Sequence, residues 1–309
     1  MTKILACPLD HSDLLQINGR FDCAQGHSFE IEQGIPVLAR TPRREPKPRN
    51  MRPCIPEPAS PVDPFVNDWI VNTNGNLYWR VRGRLPGYPI PRWPFETGKG
   101  RLMVDLGCGW GRWCMSASHA GYVPIGVDIH LDAVQAARRV SLNNGSQGTF
   151  LCSEIDALPF HDATVDLVFS YSVLQHVERD KVRRVLTESW RILKPGGAIM
   201  IQLPNTYGPF NVVQQMRRGF REARADSFEM RYWSPRQIHE LLRDSHFGEV
   251  KLRADGFFSQ NPQISDLHLL SILSRLVVLT SYAMSKVANA VSPLRLTADS
   301  LWVISHKNA

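Results

Sequence analysis

The run Val104-Asp105-Leu106-Gly107-Cys108-Gly109-Trp110-Gly111-Arg112 constrains the fold more than any other stretch of the chain. An apolar strand that ends in glycines at alternate positions and then enters a helix brings backbone N–H groups and a helix start close to a ligand. The unit then repeats. Strand-like segments over 101–106, 123–128, 149–153, 165–170 and 198–203 alternate with helical patterns ending at 120 and over 131–144 and 179–193, the last stopped by Lys194-Pro195-Gly196-Gly197. Such repeats predict a parallel sheet with helices on both faces. Farther on, Ser234-Pro235-Arg236-Gln237 is a helix start, with Ser as N-cap, Pro at the first helical position and Gln reaching back. A strand over 249–253, a helical region over 265–290 and a last strand over 300–305 complete a doubly wound, mostly parallel, seven-stranded α/β sheet.

The spacing of the glycines selects the ligand. A dinucleotide turn, Gly-x-Gly-x-x-Gly, begun at Gly107 would need a glycine at 112, where Arg112 stands. Here the third glycine comes one residue early, giving Asp-x-Gly-x-Gly-x-Gly. Asp128 closes the next strand, where a carboxylate can accept from two ribose hydroxyls. This pattern resembles motif I of class I S-adenosylmethionine-dependent methyltransferases. Three later segments resemble that family in order and spacing. Glu154-Ile155-Asp156-Ala157-Leu158-Pro159-Phe160 looks like its adenine-binding segment, Asp166 through Val177 like its motif IV, and Arg191 through Gly197 like the turn before its fifth strand.

The resemblance covers 94–205. It implies a Rossmann-like methyltransferase fold, S-adenosyl-L-methionine as cofactor, and a cofactor site made of Asp105, Gly107, Cys108, Gly109, Gly111, Arg112, Asp128, Ile129, Ile155, Asp156, Ala157, Ser170 and Tyr171. In that site Asp105 holds the cationic end of the amino-acid moiety, directly or through water. Backbone N–H groups and Arg112 receive its carboxylate, and Asp156 meets the adenine amino group.

A sulfonium methyl is already activated, so the protein has chiefly to align an acceptor and exclude water. A hydroxyl or amine acceptor must also lose a proton, and His176, after the fourth strand of the sheet, is the candidate base. A structural histidine there is the alternative. The acceptor pocket is expected from segments that interrupt the core pattern: 205–233 after the fifth strand, 255–297, and 63–93 with Trp69, Tyr78, Trp79, Tyr88 and Trp93. Most of these aromatic residues are expected to pack a core. The apolar stretch 267–290 is interrupted by Arg275, Lys286 and serines, which favours a lid or a homodimer face over a transmembrane span. Peripheral contact with a membrane carrying a lipid-linked substrate fits the same stretch.

Residues 1–40 form a different unit. Cys7-Pro8-Leu9-Asp10-His11 and Cys23-Ala24-Gln25-Gly26-His27 have the two-pair layout of a zinc ribbon. The segment resembles ribbon modules attached to methyltransferases, including guanine-N1 ribosomal RNA methyltransferases, except that those have Cys where this chain has Asp10. A structural Zn²⁺ would be held by Cys7, Cys23 and His27 with Asp10 or His11 as fourth ligand; the third alternative is a ribbon that has lost its metal. Residues 41–64 hold eight prolines and read as an extended tether to a catalytic domain over 65–309.

Of the net charge of +7, Arg40, Arg43, Arg44, Lys47, Arg49 and Arg52 against Glu45 carry five, so the basic character belongs mostly to this segment and not to a groove. The chain starts without a long apolar run, and its six cysteines fit reduced thiols, which together point to the cytoplasm. Methyl transfer to a small molecule, to a hydroxyl on a sugar, lipid-linked precursor or secondary metabolite, is the reading expected from these features. The competing ones are an RNA base methyltransferase that docks RNA through the ribbon and a cofactor-binding partner protein without turnover.

Overall fold

The computed structural model describes residues 2–44, 60–146, 148–224, 229–258 and 263–308. Most of the proline-rich segment lies outside these residues, together with Cys54 and the charges of Glu45, Lys47, Arg49 and Arg52.

The N-terminal unit is a four-stranded antiparallel sheet: β1 (Leu14–Ile17), β2 (Arg20–Cys23), β3 (Ser28–Glu32) and β4 (Ile35–Pro36), in that order. Two of its hairpins turn on two residues with positive φ, Asn18-Gly19 and Gln33-Gly34, a backbone that matches the twist of the flanking strands. After α1 (Pro64–Asn74), capped by the Asp63 carboxylate, the larger domain runs β5 (Leu102–Leu106), α2 (Arg112–His119), β6 (Val123–Asp128), α3 (Leu131–Asn143), β7 (Thr149–Cys152), β8 (Val165–Tyr171), α4 (Arg179–Ile192) and β9 (Leu193–Pro204). It closes with α5 (Pro209–Arg217), α6 (Pro235–Asp244), β10 (Lys251–Gly256), α7 (Ile272–Ala290), α8 (Ser292–Arg295) and β11 (Ser300–His306).

The seven-stranded sheet has the order β10-β11-β9-β8-β5-β6-β7. Pairing is parallel from β9 through β7, and β11 runs antiparallel to both of its neighbours. The order reverses between β5 and β8, and the carboxyl ends of strands at such a switch point are where open α/β sheets bind ligands. β5 and most of β8 are buried on both faces, as their largely apolar sequences predict.

Three boundaries differ from the sequence expectation. Lys194 to Gly197 does not stop α4 from outside the sheet; these residues belong to β9, with Gly196 at φ 76°. The helical region expected over 265–290 is two pieces. A 3₁₀ turn, Ile264–Leu269, ends at Leu270, and α7 restarts with Ser271 as N-cap, its hydroxyl accepting from Ser274 N. The strand expected at 249–253 begins two residues later, because the Gly248 and Glu249 carbonyls accept from the Ser305 hydroxyl. At 234, by contrast, the expected capping box is present, with Gln237 Oε1 accepting from Ser234 N at 2.9 Å and Ser234 Oγ from Gln237 N at 3.2 Å.

The N-terminal sheet is packed on the larger domain. Leu5, Phe21, Phe29 and Leu38 share one buried cluster with Leu151, Leu158, Phe160 and Val165. Backbone bonds stitch the two parts: Ala6 N to Pro159 O, His161 N to Ile4 O, and both Leu38 N and Ala39 N to Cys152 O. The stretch after it, expected as a free tether from 41 onward, is docked at its start. Arg43 N donates to Ile129 O, and Leu131 N to Arg43 O, each at 2.9 Å, so this backbone satisfies groups at the end of β6. Among the described residues no helix is long and apolar enough to cross a membrane. α7 nevertheless leaves Ile272, Leu273, Leu276 and Val287 exposed.

Candidate functional site

The glycine turn is built by backbone geometry that side chains resist. Gly107, Gly109 and Gly111 all have positive φ, and a Cβ on Gly107 would stand 2.5 Å from the Val173 side chain. Gly107 N and Cys108 N both donate to Val127 O, which draws the turn over the end of β6. There Asp128 ties two elements together: one carboxylate oxygen accepts from Gly109 N and the other from His130 N, both at 2.9 Å. His130 Nδ1 lies 3.0 Å from the same oxygen. Ile129 follows in the strap contact with Arg43, and Ser153 N donates to Asp128 O, so the ends of β6 and β7 meet here.

Two charged groups beneath the turn are incompletely matched. Asp105 is buried, and its polar partner is the Cys114 thiol at 3.4 Å. Burial raises its carboxyl to about 7, against the lowering effects of Cys114 and Arg112. Arg112 is 5 % exposed, with its guanidinium over the rings of Trp113 and Tyr171 at 5.7 and 5.5 Å, and its Nη1 has no hydrogen-bond partner among the described residues. Buried groups of this kind are normally paired. An ammonium for Asp105 and a carboxylate for Arg112 are what the amino-acid end of S-adenosylmethionine supplies, so the residues present fit that group.

The strand β8 ends in Ser170 and Tyr171, both buried. Ser170 Oγ donates to Leu106 O, fixing β8 against β5. Ser172 follows with φ 57°, uncommon for a residue with a side chain, and its hydroxyl donates to Gln202 Oε1 at 2.7 Å. His176 closes the short 3₁₀ turn Leu174–His176, with its Nε2 3.4 Å from Gln175 Nε2. The Gln175 amide in turn reaches Met230 Sδ.

Asp156, expected at the adenine amino group, has its carboxylate engaged by α4: Lys181 Nζ at 2.9 Å and Arg184 Nε at 3.2 Å. The acid that directly follows the end of β7 is Glu154, two residues after Cys152, and its carboxylate accepts from Arg40 N at 3.2 and 3.3 Å. Ile155 and Ala157 flank Asp156 in the turn, where Ser153 Oγ donates to Ala157 O.

Insertions cover the turn with residues that the motifs do not mark. Tyr78 donates from its phenol to Asp266, joining the segment before the first strand of the large sheet to the segment before α7. Trp110 Nε1 donates to Thr73 Oγ1 at 3.1 Å. Tyr171 Oη donates to Asp255 Oδ2, Gln263 donates to the same phenol, and burial raises Asp255 to about 6. The one sequence signal was Asp266, the last acid before an acid-free stretch to 298. Of the aromatic residues expected in the core, Tyr78 is buried and Trp93 packs against Trp113, Tyr122 and Phe169, whereas Trp79 is exposed.

At the N-terminal unit, one ligand atom from each of Cys7, Asp10, Cys23 and His27 lies within 4.8 Å of all the others. His27 Nδ1 is 3.0 Å from Asp10 Oδ2, 3.3 Å from Cys23 Sγ and 3.5 Å from Cys7 Sγ. His11 points elsewhere, its Nε2 4.0 Å from Glu188 Oε2. Burial first, and the Cys23 and Asp10 contacts after it, push the Cys7 thiol up to about 11, while hydrogen bonds from Ser12 hold Asp10 below the usual carboxylate range. Two sulfurs, one nitrogen and one oxygen in this arrangement are a donor set suited to tetrahedral Zn²⁺.

Residues 104–201 match the methyltransferase domain family. An uncharacterised methyltransferase of Mycobacterium tuberculosis is 36 % identical over 115 residues, covering 37 % of this chain and 44 % of the relative, and one of Mycobacterium bovis is 35 % identical over the same shares. The chain thus spans less than half the length of these relatives. A solved S-adenosylmethionine-dependent methyltransferase of Methanosarcina mazei superposes with a TM-score of 0.50 at 16 % identity, covering 71 % of this chain and 99 % of that one, a likeness of fold. The matched segment runs from Val104 to Ile201, so it holds the glycine turn, Asp128 and the loop after β8 in one piece, and over it the chain carries a methyltransferase domain with the Rossmann-like fold of the S-adenosylmethionine-dependent enzymes.

Proposed function

We propose that this protein transfers the methyl group of S-adenosylmethionine to a small-molecule acceptor, a hydroxyl on a sugar, lipid-linked precursor or secondary metabolite. The observation that carries the reading is the buried pair of Asp105 and Arg112 under the glycine turn: Asp105 meets a thiol, and Arg112 Nη1 has no hydrogen-bond partner among the described residues, where one amino-acid ligand offers an ammonium and a carboxylate. When bound, the cofactor supplies a methyl activated by its sulfonium. Asp128, held by Gly109 N and His130 N, receives the ribose hydroxyls. The adenine amino group falls to the acids after β7. Glu154 is better placed than Asp156, whose carboxylate is already paired with α4.

His176 is assigned as the base that takes the acceptor proton, with the Gln175 amide beside its Nε2. The Ser172–Gln202 contact sets the backbone from which that loop departs. Residues 205–233 and 255–297 build the acceptor side. Cys7, Asp10, Cys23 and His27 hold a structural Zn²⁺, with Asp10 and not His11 as the fourth ligand.

Turnover tests the reading. Release of S-adenosylhomocysteine should require a small-molecule fraction and not RNA, and His176→Asn should slow it and remove the acidic limb of its pH profile. Release dependent on RNA alone would favour the nucleic-acid reading. Native mass measurement should show one zinc per chain, lost in Cys23→Ser.

A further inference from the structure

A cavity of about 290 Å³ lies beside the loop after β8, walled by α4, by α5 and the residues after it, and by 230–237. Thr206 and Tyr207, just past the carboxyl end of β9, form one side. Four guanidinium groups line it: Arg179, Arg218, Arg221 and Arg231. One acid, Glu222, stands among them, 3.2 Å from Arg179 Nε and 4.0 Å from Arg231 Nε. Glu229 engages Arg221 at 3.5 Å. Among the described residues lining the cavity, four guanidinium groups thus face two carboxylates.

Two polar atoms buried behind the cavity wall have no partner among the described residues. Arg231 is 3 % exposed; its Nη2 donates to Arg224 O at 2.8 Å, but its Nη1 has no partner among the described residues. The neighbouring Tyr232 is 7 % exposed, and its hydroxyl is likewise unpartnered among them. The site is tied to the candidate catalytic loop, since Arg231 N donates to Gln175 O at 2.8 Å and Gln175 neighbours His176.

We infer that this cavity is the anion subsite of the acceptor, built to take a phosphate ester or diphosphate while the rest of that molecule extends toward His176. The inference rests on the methyl-transfer reading for the role of His176, and on the arginines alone for the anion. A carboxylate carries one negative charge, whereas a phosphate monoester carries between about one and a half and two near neutral pH, which matches the surplus better. Guanidinium forks also suit its oxygens.

The test titrates inorganic phosphate and pyrophosphate, with acetate as the carboxylate probe, at fixed ionic strength into the full chain saturated with S-adenosylhomocysteine. Saturable binding of pyrophosphate is expected, with little binding of acetate. Arg218→Gln/Arg221→Gln, on the outer wall, should weaken it at least tenfold, as should Arg231→Gln; Arg243→Gln, on α6, should not. Flotation with phosphatidic acid vesicles separates the sources: retention lost in the double variant assigns a lipid phosphate, and binding of the soluble anions without retention assigns a soluble ester. Equal binding of acetate, or anion binding indifferent to the arginines, overturns the proposal. The affinity for S-adenosylhomocysteine, measured in the same variants, should be unchanged; its absence in the wild type would sink the methyl-transfer reading without touching the anion result.

Discussion

At the scale of single residues, the chemistry turns on two buried charged groups whose hydrogen bonding is incomplete among the described residues. A carboxyl raised to about 7 by burial, as at Asp105, is mostly neutral at pH 6 and mostly ionised at pH 8. An ammonium ligand favours the ionised form. Affinity for S-adenosylhomocysteine should therefore rise with pH across this window, by up to about tenfold per unit below the pKa. Calorimetry at pH 6, 7 and 8 checks this, and Asp105→Asn should bind weakly with a flat profile. His130 lies against Asp128, so His130→Asn, which keeps a neutral side chain there, should leave the slope in place if Asp105 is its source.

At the scale of elements, strands and helices were legible where periodicity and punctuation agree. β5, β6 and β8 follow from short, mostly apolar segments bounded by turn residues, and α6 from Ser234, Pro235 and Gln237. The turn was legible for the same reason: alternate glycines at a strand end have few other uses. Its partners were not. Asp156 resembles the adenine acid in sequence, and only the approach of Lys181 and Arg184 from α4 shows that its carboxylate is ion-paired. The Tyr78–Asp266 contact joins residues 188 apart in the chain, through two insertions with no motif to mark them. Such a contact is worth measuring by a double-mutant cycle in urea. Tyr78→Phe and Asp266→Ala should couple by about 1.5–3 kcal/mol, the range for a buried hydrogen bond to a charged group. Coupling near zero would mean that these two covering segments do not hold each other.

For the whole molecule, the N-terminal sheet is structurally part of the domain it precedes. The sequence suggests a ribbon on a tether because Pro and Arg dominate 41–64, but Leu5, Phe21 and Leu38 fill the same core as Leu151 and Phe160. Removing residues 1–44 would uncover that core and free the Cys152 carbonyl from its two donors. The truncated chain should be insoluble or unfold at a Tm lower by several degrees, read by circular dichroism; an unchanged Tm would restore the independent module.

The strand order, the glycine turn and the paired demands of Asp105 and Arg112 all converge on one ligand at the carboxyl edge of the sheet. The most direct measurement is a calorimetric titration of the purified full chain with S-adenosylhomocysteine, with NAD as the comparison. Saturable uptake of one equivalent, lost in Asp128→Asn, with no heat from NAD, is the result predicted; uptake of NAD with none of the sulfur nucleoside would contradict it.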